Sequence, residues 1–121
     1  MMEVLSVIQA LDSLAERDGR NVYIHGRLTF EFENASIQHL PRSEWRDESG
    51  RSHSIWLSCE PPLGFEQSVL TRWSGRHVLV EGRLMATPWG EGHLFGLLAE
   101  IVATDIERYD EGRRLGRLPR V

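Results

Sequence analysis

The chain has 121 residues, 40% apolar and 26% charged, with a mass of 13.9 kDa. That composition is globular, and the length excludes a second domain with its own core. A domain of this size buries about two-thirds of its unfolded surface, so neither a metal nor a disulfide is required to hold it. Net charge is −4, with all 14 basic residues arginine and none lysine. Its distribution is uneven: residues 1–112 hold ten arginines against all 18 acids, or −8, and residues 113–121 hold four arginines, or +4.

Ser6 and Gln9 have the spacing of a capping box, which predicts a helix start. Val7, Ile8, Leu11, Leu14 and Ala15 then form one apolar stripe, and Gly19 stands where a left-handed residue ends a helix. From Val22 the period becomes two. Val22, Ile24, Leu28, Phe30 and Phe32 share one face, and Tyr23, His25, Arg27, Thr29, Glu31 and Glu33 share the other. Gly26 interrupts this long strand and reads as a bend or bulge. Ala35 to Leu40 reads as a second strand, and Arg42 to Ser52 as a loop.

His53 to Cys59 reads as a third strand, with Ile55, Leu57 and Cys59 inward and Trp56 outward. Phe65, Val69, Leu70 and Trp73 predict a short helix capped by Gly75. His77 to Thr87 is a fourth strand containing Gly82, and Pro88 to Gly92 is a turn. A fifth strand is expected from about His93 to Ile106. Residues 110–121 read as a basic C-terminal tail following a single domain over 1–109. Val22-Tyr-Ile-His-Gly26-Arg-Leu28 echoes Val78-Leu-Val-Glu-Gly82-Arg-Leu84 at an offset of 56 residues, as two equivalently bent strands of a small barrel would.

The order helix, three strands, helix, two strands is that of the OB-fold, a five-stranded Greek-key barrel with a helix between strands 3 and 4. Here an N-terminal helix precedes it, so the expected class is all-β with accessory helices. The chain resembles short bacterial OB-fold-like proteins of unassigned function. The resemblance runs through Leu5-Ser-Val-Ile, the Val22–Leu28 strand continuing into Glu31-Phe-Glu33, Ile55-Trp-Leu57, and Gly75 to Gly82, over roughly residues 4 to 107. The loop from Arg42 to His53 departs from it. More distantly, the chain looks like anticodon-binding and single-strand-binding OB domains. The resemblance implies a fold and supplies no activity.

Catalytic signatures are sparse. Cys59 is the single cysteine, which excludes an internal disulfide and a cysteine zinc site, and its inward position reads as structural. The five histidines never fall at i, i+2 or i, i+4, so no local metal clamp is written. Neither a P-loop, a dinucleotide fingerprint, a nucleophile elbow nor an HExxH motif occurs. Glu31 and Glu33 face one side and either hold a cation or form a solvated strand face. The resulting expectation is a cytoplasmic, non-enzymatic binding module without cofactor, metal or membrane association.

Its expected partner is a protein, in an adaptor or immunity role. The acidic body would steer a basic polypeptide, and Trp45, Trp56 and Trp89 are interface-type anchors. The alternative is a single-stranded nucleic acid, with Trp56, Tyr23 and His25 as stacking surfaces and Arg27 and nearby arginines on phosphates. The −8 body opposes that alternative, and every phosphate contact would need an arginine.

Overall fold

The structure is a computed structural model, which describes residues 3–31, 34–47, 52–59, 67–86, 97–110 and 112–117. Ser6 caps the first helix as its spacing predicts. Its hydroxyl accepts from the Gln9 amide at 3.1 Å, while its own amide donates to Gln9 Oε1 at 2.8 Å. The apolar stripe is carried by two short helices, α1 (Val7–Asp12) and α2 (Leu14–Arg17), rather than one. The break is at Ser13, whose hydroxyl takes the Gln9 carbonyl at 2.8 Å. Gly19 has φ +81° and follows α2 as expected.

Among the described residues seven strands form a single sheet, where five were expected: β1 (Val4–Ser6), β2 (Asn21–Glu31), β3 (Asn34–Gln38), β4 (Ser54–Cys59), β5 (His77–Ala86), β6 (Ala99–Asp110) and β7 (Arg113–Arg117). Helix α3 (Gln67–Trp73) lies between β4 and β5. The pairings β2–β3, β3–β4, β4–β6, β6–β5 and β5–β2 lead back to their starting strand. All are antiparallel except β4–β6. Strand β1 adds itself in parallel to β2, and β7 folds back antiparallel on the end of β6.

Two expectations about the C-terminal region are corrected. The final strand of the ring, Ala99–Asp110, runs past the expected end at Ile106, while the turn at Pro88 to Gly92 and the expected start at His93 lie outside the described residues. Part of the presumed tail is β7, which turns back through Gly112 at φ +78°. The arginine-rich composition concealed it, since an edge strand with little to bury carries no apolar alternation.

Ile24, Leu28, Ile37, Ile55, Val80 and Ile106 are fully buried inside the ring. Val7 and Ala10 of α1 and Leu70 of α3 belong to the same cluster. Gly26 is not a bulge, because the β2–β5 register passes unbroken through Gly26↔Val78. It is a close approach: a Cβ there would stand 2.5 Å from the Gln38 carbonyl oxygen and 2.5 Å from Ile37 Cγ2. Gly82 does sit at a bulge, where the β5–β6 register skips Thr104, and its Cβ would stand 2.3 Å from the Val102 oxygen.

Gly82→Ala is therefore expected to cost about 2 to 3 kcal/mol, since its obstacle is backbone and cannot rotate away. Gly26→Ala is expected to lose a similar amount. Urea denaturation measures both, and a loss under about 0.5 kcal/mol at either site would contradict the close approach assigned to it.

Candidate functional site

Strand register assembles a cluster that the sequence does not show as contiguous. Arg27 pairs with His77 and His25 with Leu79 across β2–β5, which sets His25 and His77 diagonally on one outer face. Leu79 pairs with Glu107 across β5–β6, so Tyr109, two residues further along β6, stands beside His77. The rings meet accordingly. His25 and His77 centroids are 5.1 Å apart, and Tyr109 lies 5.5 Å from one and 5.3 Å from the other.

These three rings border a groove of about 490 Å³ completed by Leu40, Pro41, Asp110 and Gly112. A second hollow of similar volume shares His77, Tyr109 and Asp110 and continues to Trp73, Arg76, Arg108 and Leu115. Trp73 ends α3, and Gly75 at φ +91° turns the chain so that its amide reaches the Leu28 carbonyl at 2.6 Å. The guanidinium groups of Arg76 and Arg108 lie 5.6 and 5.5 Å from the Trp73 ring centroid. Arg108 also donates to the Leu115 carbonyl at 3.0 Å, and Arg27 donates to Gln38 Oε1 at 3.2 Å. Among the described residues, none of these three arginines has a carboxylate partner.

His25 Nδ1 and His77 Nε2 are 2.9 Å apart, an N–H···N contact. Burial holds the pKa of His25 below the usual imidazole value, and the neighbouring His77 and His39 lower it further. Burial lowers His77 as well, against the opposing pull of Asp110.

The same outer face changes sign farther along the sheet. Tyr23, Glu81, Asp105 and Glu107 surround the buried Leu79, and Arg114 of β7 closes over them. Arg114 grips Glu107 through Nε at 2.6 Å and Nη2 at 2.5 Å, which raises its pKa above the ordinary guanidinium value. A hydrogen bond with Glu81 raises the pKa of the Tyr23 phenol.

The predicted site residues scatter. His25 lines the groove, and Arg27 lies beside the second hollow, with Nη2 3.6 Å from where a Cβ on its lining residue Gly75 would stand. Tyr23 belongs to the acidic end. Trp56 is only 7% exposed, so the outward platform expected of it is corrected: both faces of β4 are covered, and alternation could not reveal the second cover. Trp45 is half-buried and stacks on His53 at 3.6 Å with 5° between planes. Its indole donates to the His39 carbonyl at 2.8 Å, so it fastens the loop after β3. The side chain of Glu31, and Glu33 and Trp89 entirely, lie outside the described residues.

Sequence reasoning missed His77, Tyr109, Trp73, Arg76 and Arg108. Trp73 packs against the core, as a residue of the helix's apolar stripe does, and that stripe does not announce the two arginines at its ring; ending the last strand at Ile106 leaves Tyr109 without a place. The available signal was the run Trp73 to His77, which puts an aromatic, an arginine and a histidine around one capping glycine.

No known protein family and no curated protein matches the chain. Solved structures share its fold. A putative aspartyl-tRNA synthetase from Leishmania major Friedlin aligns at TM-score 0.53 and 14% identity, over 99% of this chain and 22% of that one. Asparaginyl-tRNA synthetase from Pyrococcus horikoshii aligns at TM-score 0.50 and 14% identity, over 98% and 24%. An OBody bound to hen egg-white lysozyme aligns at TM-score 0.50 and 16% identity, over 78% and 85%. The chain thus spans under a quarter of either synthetase. The class is a β-rich, OB-like domain.

Arg114→Met should release β7 from β6. Hydrogen exchange is expected to show lost protection in the amides of residues 113–117, with the β5–β6 ladder unchanged. Unaltered protection in β7 would mean that backbone pairing alone holds it.

Proposed function

We propose that the chain is a single-stranded nucleic-acid-binding module built on an OB barrel, acting without catalysis. The returning ring of β2, β3, β4, β6 and β5 has the pairing order of that barrel, and β1 and β7 are additions to it. The observation that carries the reading is the pair Arg76 and Arg108, two guanidiniums drawn to one indole and, among the described residues, in no ion pair with a carboxylate. Two cations against the one carboxylate of Asp110, among the described residues of this hollow, beside His25, His77 and Tyr109 match what a polynucleotide requires: charge for phosphates and rings for bases.

The similarity to aspartyl- and asparaginyl-tRNA synthetases supports this reading at the level of fold. The chain's acidity does not oppose it where it matters, since Glu107 is held by Arg114. A protein partner is the second reading, favoured by the acidic body and by the OBody bound to lysozyme.

Fluorescence anisotropy with labelled oligo-dT separates the two. Binding should weaken steeply with salt, and Arg76→Ala and Arg108→Ala should each reduce the log–log salt slope by about one. Tyr109→Ala should cost about 1 to 3 kcal/mol if a base stacks there. Absence of binding to both oligo-dT and oligo-rU at low salt, or an unchanged slope in both arginine variants, would defeat the nucleic-acid reading.

A further inference from the structure

Among the described residues that line the groove, the histidine pair is the group whose charge changes near neutral pH. We propose that seating a nucleic-acid phosphate in this groove is coupled to uptake of one proton by the His25–His77 pair. The inference rests on the nucleic-acid reading above and concerns how that site is regulated.

The contact itself sets the stoichiometry. With 2.9 Å between His25 Nδ1 and His77 Nε2, one nitrogen carries the proton and the other accepts it. A first added proton goes to a nitrogen on the far side of one ring, which leaves the N–H···N bond intact and makes it charge-assisted. A second would set two N–H groups head to head and break it. The pair therefore behaves as a single site that takes one proton.

The surroundings determine when it does so. On β2, Arg27 stands in register with His77, and Tyr23 lies two residues before His25. Arg76 precedes His77 in the chain, and β6 contributes Tyr109 and Asp110. From the loop after β3, His39 adds its influence on His25, and Glu107 is already engaged by Arg114. Partial burial disfavours the imidazolium at both rings, His77 and His39 disfavour it further at His25, and Asp110 favours it at His77. Empty, the groove thus keeps the pair largely neutral at pH 7. A phosphate held by Arg76 and Arg108 brings negative charge beside His77 and reverses that balance. Binding raises the proton affinity of the pair, so protonation must tighten binding by the same factor.

Oligo-dT of ten nucleotides is a suitable probe, because thymine does not titrate between pH 5.5 and 8. At constant ionic strength its Kd should increase with pH, by up to about tenfold per pH unit between the proton affinities of the free and bound pair. Calorimetry in two buffers of different ionisation enthalpy should count up to one proton taken up per complex in that interval. The double variant His25→Gln/His77→Asn should bind with no such slope. Binding without pH dependence and without proton uptake overturns the coupling and leaves the nucleic-acid reading in place, whereas no binding at any pH overturns both. A pH slope that persists in the folded double variant assigns the proton elsewhere and also overturns the coupling. If the double variant does not fold, the wild-type proton count decides.

Discussion

Strand β2 has to serve three neighbours, and the rest of the molecule follows from how it does so. One edge is taken by β5 from Asn21 to Arg27, and the other passes from β1 at His25 to β3 at Arg27. Gly26 lies at that exchange, where the Gln38 carbonyl of β3 and the Ile37 side chain come within 2.5 Å of where a Cβ would be. A side chain at 26 would hold β3 away, and the ring of pairings would not return to β2. The same junction fixes the diagonal of His25 and His77 on the outside. The constraint that shapes the interior thereby also aligns the groove's rings.

Charge is segregated rather than spread. The acids along the outer face surround Leu79 and are answered by Arg114, an arginine from the segment that composition set apart as a tail. The arginines around Trp73 are answered by no acid among the described residues. A net charge of −8 over residues 1–112 therefore says little about the potential in the groove. Screening limits exposed charges to roughly 8 to 10 Å at physiological ionic strength, so distant acids count for less than these neighbours.

Much of the architecture was legible because it obeys local rules. The capping box at Ser6, the period-two face of Val22, Ile24 and Leu28, and the capping glycines at 19 and 75 each depend on a few adjacent residues. The site was legible only at His25 and Arg27. Its other members meet through strand register, Arg27 opposite His77 and Leu79 opposite Glu107, and alternation within each strand gives its two faces without saying which residues of two strands stand opposite. Trp56 illustrates the converse error. Alternation correctly placed Ile55 and Leu57 in the core, but it assumes one wet face, and β4 has none at that position.

The absence of lysine acquires a physical meaning in this setting. Arginine can lie flat against an indole while keeping its donors free at the edge, as a compact ammonium cannot, so Arg76 and Arg108 hold charge in place before any ligand arrives. Permanent cations on rigid supports offer strength without adjustment, because the guanidinium never releases its proton. In the groove the adjustable charge falls instead to His25 and His77, whose mutual hydrogen bond admits one proton and resists a second. In the proposed site, fixed arginines and a one-proton histidine pair would divide the work: the first would set whether an anion is held, and the second how tightly at a given pH.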